Sequence, residues 1–421
     1  MDSFDRPQKI AVVGTGISGL TASYLLSRRH DITVFEANDY IGGHTHTVDV
    51  QSSEGTYAID TGFIVFNDRT YPNFQKILNQ LGVAYQKSSM SFSVRDDRTG
   101  LEYNGTSVNK LFAQRRNLIN SAFYRMLFDI LRFNKRARAL LEEKNETLTL
   151  GEFIEQSRLS AGLREQYLIP MGAAVWSANP ESMRDFPALY FIRFFENHGL
   201  LGFGNRPRWL VIKGGSREYV KAITKTFAGR IRLSTPVRSI RRHDDYVEVY
   251  SDDNEPERFD LIVLACHSDQ ALKMLADPSE EEQDILGAIG YQPNDTVLHT
   301  DTSILPRKKL AWGSWNYLVP LRQQQRVAVT YYMNHLQSLR AKNDYCVTLN
   351  YTPNINRDEI LREFEYHHPV YTIKGIEAQR RRDEICGQRR TFYAGAYWGF
   401  GFHEDGVRSA LHACEKLGET L

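Results

Sequence analysis

Gly14, Gly16 and Gly19 stand in G-x-G-x-x-G spacing, and Glu36 follows at the end of the next apolar run. That set can hold a dinucleotide. Gly14 permits a tight turn, Gly16 lets backbone approach a pyrophosphate, and Gly19 lets a helix pack close on a strand. The free N–H groups of the helix start then face the phosphates, and the acid accepts from a ribose 2′-hydroxyl. Such chemistry needs a strand–turn–helix–strand unit. Ile10–Val13 is apolar enough for a buried parallel strand. Leu20, Tyr24, Leu25 and Leu26 give the following helix an apolar face, and Ile32–Phe35 supplies the second strand. All parts occur at the distances a βαβ unit requires, which raises the motif above a chance Gly-rich turn.

A chain of 421 residues can form two domains or one elaborated domain. Hydrophobic residues make up 42% and charged residues 24%, as in a globular protein, and the formal charge of +1 argues against nucleic acid as a partner. Cys266, Cys346, Cys386 and Cys414 are scattered and none is in C-x-x-C spacing, which argues against a dithiol redox centre and fits a reducing compartment. The start, MDSFDRPQK, lacks the apolar core of a signal peptide, and no run of 18 apolar residues occurs. A cytoplasmic protein is expected, with the inner face of a membrane within reach.

Further segments carry close-approach signals. Gly42 and Gly43 precede His44, with His46 two residues on; no third ligand stands near, so no metal is expected. Asp60-Thr61-Gly62 reads as a tight turn after a strand, and Tyr71–Gly82 as a helix. Met90–Val94 and Leu101–Tyr103 read as a hairpin. Lys110–Glu142 reads as helix. Its residues 110–140 carry eight Lys or Arg against Asp129 alone, a balance of +7, interleaved with aromatics. Two readings stay open there: an interfacial helix on anionic lipid, or a helical cap with solvated charges. Pro187–Asn197 is an aromatic helix. Val211–Phe227, Val237–Ile240, Tyr246–Tyr250 and Phe259–Ala265 form a second α/β group, followed by strands at 297–300, 317–321, 327–332 and 346–350. Thr391–Tyr393 is a last short strand before a Gly-rich segment and a closing helix from Val407 to Leu417.

With these motifs in place, the chain resembles the flavin-containing amine oxidase and phytoene desaturase superfamily. The likeness rests on Gly14/Gly16/Gly19, Glu36, Gly42-Gly43, Asp60-Thr61-Gly62, Gly214-Gly215, Pro236-Val237, the Val263–Ala265 strand and Phe392–Gly395 with Asp405-Gly406. DTGFIVFNDRTYPNF, MSFSVRDD, HSDQAL and GAYWGFGFHEDGVRSAL resemble a bacterial subgroup of FAD-dependent oxidoreductases associated with cyclopropane-fatty-acyl-phospholipid synthases. The resemblance implies an α/β fold: a Rossmann-like FAD-binding domain interleaved with an α+β substrate domain of mixed antiparallel sheet and helical cap. The expected division gives residues 1–75, 210–290 and 389–421 to FAD, and 76–209 and 291–388 to substrate.

By that resemblance, Gly14, Gly16, Ser18, Gly19, Glu36 and Ala37 hold the ADP half of non-covalent FAD. Gly42, Gly43 and His44 lie near pyrophosphate and ribityl. Val237 meets adenine with its backbone, with Ala265 at the end of the neighbouring strand. Thr61, Gly62 and Phe63 approach the isoalloxazine, Gly395 meets the ribityl, and Glu404, Asp405, Gly406 and Val407 offer N–H groups to the flavin pyrimidine edge. The chain departs from amine oxidases where Ala396 and Tyr397 replace the acid after the C-terminal glycine, and in its shorter Gly395-to-Gly406 spacing. Both departures weaken amine oxidation. The expected activity is therefore hydride removal from, or delivery to, an unsaturated, methylated or cyclopropane fatty acyl group. The rival readings are an amine or polyene oxidase, or a non-catalytic flavoprotein partner. His403 is the first candidate base and His198 the second, while Trp176, Trp315 and Trp398 stand as pocket walls. Expected partners are an apolar or lipid substrate, a membrane surface met through 110–140, and a fatty-acyl methyl or cyclopropane transferase.

Overall fold

The computed structural model of the chain describes residues 6–202, 204, 206–252, 255–321 and 326–421. Residues 1–5, the start of the stretch read above as lacking a signal peptide, lie outside them. A five-stranded parallel sheet runs in the order Ile231–Arg232, Asp31–Phe35, Lys9–Val13, Leu261–Leu264, Thr391–Tyr393. Its middle strands read as unbroken apolar runs because both faces are covered. The helix Ile17–Leu26 covers one face and buries nine of its ten residues, so polarity does not alternate around it. It packs against the closing helix, His403–Glu415. An antiparallel meander (Val237–Arg242, Val247–Ser251, Glu257–Phe259) also packs on the sheet, with Phe259 edge-on to Phe35 at 5.9 Å.

A second layer is built on a seven-stranded sheet, ordered Ile360–Val370, Gly290–His299, Cys346–Leu349, Ala328–Tyr332, Trp315–Val319, Phe92–Asp96, Leu101–Asn104. All its pairings are antiparallel except that of Trp315–Val319 with Phe92–Asp96. Helices from residues 121 to 197 cap it around a core of Phe133, Phe153, Phe191 and Phe195. Among the described residues, no helix is long and apolar enough to cross a membrane.

Three elements differ from the sequence reading. Ile360–Val370 is an eleven-residue strand that pairs along almost all of Gly290–His299. It carries charges and Pro369 because it is an edge, where one face and one row of backbone groups meet solvent. The helix read over 110–142 is broken. A short helix (Val108–Leu111) and a 3-10 turn (Arg115–Ile119) precede the main helix, Ser121–Glu143. Asn120 ends the first part by accepting from the N–H groups of Ala122 and Phe123 at 3.1 and 3.2 Å, a cap that competes with helix continuation. The closing helix begins at His403 rather than Val407, with the Asp405 carboxylate accepting from Phe402 N–H at 3.1 Å.

One buried ion pair joins the sheets. Glu282 accepts from Arg242 Nη2 at 2.8 Å and from the Tyr393 hydroxyl at 2.6 Å, linking the meander to the last strand of the parallel sheet. Both charged side chains are 1–2% exposed. Removing Glu282 leaves the buried guanidinium with only Asp277, whose carboxylate accepts from its Nε at 3.1 Å. Glu282→Ala is expected to destabilise the fold by about 3 kcal/mol in urea unfolding, and loss of an exposed pair such as Arg238–Asp252 to have little effect.

Candidate cofactor-binding and active site

The glycine turn lies at the C-terminal ends of the central strands. Gly14 has φ +100° and donates its N–H to Phe35 O at 2.8 Å, so the turn is tied to the second strand. A Cβ on Gly14 would lie 2.8 Å from Ala265 O, and one on Gly19 would overlap Gly14 O. A Cβ on Gly16 would meet nothing within 4 Å. Two of the glycines therefore serve packing, and the third leaves open space at the helix start. That helix start has no capping side chain and no acid in its first turn. Its positive dipole end is thus left for an external anion.

Glu36 follows the second strand. Its carboxylate accepts from Thr15 N–H at 2.9 Å, from Thr15 Oγ1 at 2.5 Å and from Asn38 N–H at 2.9 Å, which fixes it beneath the glycine turn with lone pairs to spare. Thr15 Oγ1 also accepts from Gly42 N–H at 3.1 Å, drawing in the Gly42–His44 loop. Gly43 then packs on Gly16. Ser234 and Thr235 donate to Asn38 O and Glu36 O at 2.8 Å each, which brings Val237 to the same edge, two residues past Thr235 and Ala37 beside Glu36. Ala265 N–H donates to Val13 O at 2.8 Å. Gly406 closes the group, since a Cβ there would lie 2.6 Å from Ile17 Cγ2 and 2.9 Å from Ser18 Oγ.

A second cluster stands beyond Gly43. Phe63 N–H donates to His44 O at 2.7 Å and Thr61 N–H to His46 O at 2.9 Å, holding the 61–63 turn against the loop. Phe63 stacks on His403 with centroids 3.4 Å apart. The His403 Nε2 faces Thr45 Oγ1 at 3.0 Å and the Tyr219 hydroxyl at 3.2 Å, and burial pushes its pKa well below the usual range. It is a neutral ring locked by two hydroxyls. Gly395 N–H donates to Ser409 Oγ at 2.8 Å. Gly406 N–H is already spent on Phe402 O at 3.1 Å. Val407 lies inside the helix, so the open amides of this helix start are those of its first turn before Gly406. Glu404 turns away, accepting from Asn73 N–H at 3.2 Å and Phe74 N–H at 3.0 Å at the start of the Pro72–Gln80 helix.

His198 stands apart, against the aromatic helix Ala188–Asn197. Its Nδ1–H donates to Phe194 O at 2.9 Å, which leaves Nε2 as an acceptor facing Thr70 Oγ1 at 3.5 Å. Its ring stacks near Phe194 and Trp209, with centroids 3.9 and 5.9 Å away. Sequence reasoning missed several neighbours. His267, His368 and Tyr366 surround His44, with centroid separations of 6.1, 5.4 and 5.1 Å, and Tyr291 stacks on His267 at 4.3 Å. Only the HSDQAL stretch and the paired histidines of EYHHPV could have pointed to them.

A dinucleotide fits these residues. Among the described residues, His44 Nε2, Trp398 Nε1 and the Tyr397 hydroxyl are shut off from solvent and have no protein partner. Polar atoms left this way are rare unless a ligand meets them. Gly16 offers space, the first helix offers its N-terminus, and Glu36 offers its remaining lone pairs. The residues that would hold the ADP half are Gly14–Gly19, Glu36, Ala37, Val237 and Ala265. Those toward the other half are Gly42–His44, Thr61–Phe63, Gly395 and the first turn from His403.

Gly16→Ala is expected to cost about 1 kcal/mol of stability yet weaken FAD binding at least tenfold, measured by flavin retained on gel filtration. Gly19→Ala is expected to cost about 3 kcal/mol, because its Cβ overlaps backbone. The buried histidines of the site, together with His299 of the seven-stranded sheet, titrate with a definite sign. Burial holds His44, His198, His267 and His299 at about 4 and His368 at about 3, so between those values and 6.5 the unfolded chain binds more protons. Stability from these groups falls as pH drops through that window. Asp60, raised to about 6, and Asp405, raised to about 7, act in the opposite direction from about pH 4 upward. Five rings outweigh two acids, so the melting temperature is expected to rise from pH 4 to 6.5 and then level off.

Comparison with known proteins agrees with the geometry. AofH of Mycobacterium tuberculosis, named as a flavin-containing monoamine oxidase, is 26% identical over 272 residues, or 60% of this chain. The match spans 56% of AofH, so the chain aligns with little over half that relative's length. A crystal structure of a CLA-producing fatty acid isomerase from P. acnes superposes with a TM-score of 0.70 at 16% identity, covering 97% of this chain and 98% of the other. Putrescine oxidase bound to putrescine gives 0.70 at 12% identity, covering 98% and 99%. These two structures share the fold. Residues 17–354 match the description of the flavin containing amine oxidoreductases, and the chain belongs to that family, with FAD as its dinucleotide.

Proposed function

We propose that the chain is an FAD-dependent oxidoreductase that removes hydride from, or delivers it to, an aliphatic acyl chain. One observation carries this reading: an aromatic bed lies between the aromatic helix and the C-terminal glycine segment. Trp176 lies 4.6 Å from Phe186 and 4.9 Å from Phe194 (ring centroids), and its indole N–H donates to Phe400 O at 3.2 Å. Tyr190 lies 4.3 Å from Phe400 and 5.3 Å from Tyr371, and Phe194 stacks on Phe402 at 5.4 Å. Tyr190 and Phe400 also wall an open recess of about 330 Å³ that carries Arg193 and Arg380. Both arginines already pair with Glu146, so it is the aromatic bed rather than a free cation that suits a long apolar chain.

The acids near the site argue against an ammonium ligand. Asp60 accepts from Thr47 Oγ1 and from Ser216 N–H and Oγ–H, Glu404 from Asn73 and Phe74, and Asp405 from Phe402. Each accepts from neutral donors, Asp405 has Arg408 4.0 Å away in addition, and burial raises the pKa of all three. The fatty acid isomerase named above acts on such a chain with the same fold, which supports the class of substrate without fixing the reaction.

Bound FAD supplies the hydride chemistry, and the protein supplies orientation, dryness and a proton acceptor. His198 Nε2 is the freer acceptor, beside Phe194 of the aromatic bed at 3.9 Å, since its other nitrogen is fixed by Phe194 O and burial holds the ring neutral above about pH 4. His403 positions the Phe63 turn instead, because its Nε2 is already held by two hydroxyls.

Anaerobic mixing with acyl substrates is expected to bleach the flavin, and cellular lipid profiles are expected to gain or lose two hydrogens per acyl group when the protein is present. Bleaching by amines alone would overturn the reading. His198→Gln is expected to lower kcat by about 10²-fold or more with the melting temperature unchanged. His403→Ala is expected to release flavin and lower the melting temperature while leaving the shape of the pH profile of the remaining activity intact.

A further inference from the structure

Nine large apolar side chains are exposed among the described residues, and six of them fall between residues 108 and 131: Val108, Leu118, Ile119, Tyr124, Phe128 and Leu131. Ile119 is 90% exposed and Phe128 65%. A seventh, Leu310, belongs to the Lys309–Ala311 turn, against which the helix Val108–Leu111 packs. Exposed apolar residues on soluble proteins are ordinarily scattered, so this concentration marks a surface that meets something.

The main helix arranges it. Ser121–Glu143 turns Phe123, Met126, Phe133, Ala137 and Leu140 inward. At 100° per residue, Tyr124, Phe128 and Leu131 then form a stripe along the outer side. Arg125, Arg132 and Arg136 flank it on one side and Arg138 on the other, with Lys135 along it. Among the described residues, Arg125, Lys135 and Arg136 have no acidic partner within ion-pair distance. Lys308 and Lys309 add cations beside Leu310. Over 108–138 the balance is eight basic residues to one acid, and Asp129 is buried and already paired with Arg132 at 2.8 Å.

We propose that this face docks on a bilayer carrying anionic headgroups, with Ile119, Phe128 and Leu131 entering the interface and the flanking cations meeting lipid phosphate. Charge complementarity selects this occupant: a second copy of the chain would set like charges against each other, and a neutral apolar partner would leave the unpaired cations unmet. The reading stands independently of the acyl-chain substrate.

The test is flotation of the FAD-loaded full-length protein with vesicles of phosphatidylcholine containing phosphatidylglycerol, compared with phosphatidylcholine alone. Flotation is expected with the anionic vesicles only, and to weaken with added salt. Ile119→Ser/Phe128→Ser and Arg125→Glu/Lys135→Glu/Arg136→Glu should each lower bound protein at least tenfold. All five positions are exposed, so flavin content and melting temperature should not move. Failure to float overturns the proposal. So does flotation lost on charge reversal but kept in the Ser variant, which is electrostatic adsorption alone. Concentration-dependent dimers in light scattering that Phe128→Ser abolishes, without vesicle binding, assign the face to a second copy and also overturn it.

Discussion

The first turns of two helices meet at Gly406. A side chain there would collide with Ile17 and Ser18, so the helices starting at residues 17 and 403 abut where only a hydrogen fits. Each helix start carries about half a positive charge, and their approach is unfavourable unless negative charge lies between or beside them. The first helix brings no acid of its own. In the second, Glu404 is turned toward Asn73 and Phe74, and Asp405, its pKa raised to about 7 by burial, meets only the Phe402 N–H among the helix-start amides. The fold therefore concentrates uncompensated N–H groups at one place. The glycine turn, Glu36 with its Thr15 bonds and the Gly42–His44 loop are all arranged around that concentration.

Much of this was legible in the chain. The βαβ unit announces itself because each glycine answers a local demand and its strands are mostly apolar. The seven-stranded sheet was readable where strands are central, and missed where Ile360–Val370 forms an edge. An edge strand looks polar because half of it faces water, so alternation is masked by Arg362, Glu363 and Glu365. The break at Asn120 was missed because periodicity continues across it, while the cap that interrupts the helix acts through one side chain. The histidines around His44 were invisible for another reason. They come from chain segments centred near 44, 267 and 368, and only the sheet pairing of 290–299 with 360–370 brings the last of them in.

The site is also dry in a chemically specific way. Its histidines are held neutral and its acids are pushed toward their protonated forms, so few full charges remain near the aromatic bed. In such a medium an apolar chain is tolerated, and any charge that develops is felt strongly by the fixed dipoles around it. The outer surface is the reverse, with cations clustered on the helix Ser121–Glu143.

The parallel sheet has a further consequence, for the order of events in the cell. Its central strand, Lys9–Val13, is made first, its neighbour Leu261–Leu264 much later, and its edge Thr391–Tyr393 near the end of synthesis. Until those last segments leave the ribosome, the opening βαβ unit exposes an apolar flank of Val12 and Val13 with no strand to cover it. The nascent chain must wait, shielded or loosely collapsed, for pairings that span nearly its whole length. A chain ending before Thr391 would hold four strands of the sheet but lack the edge strand that covers Leu261–Leu264.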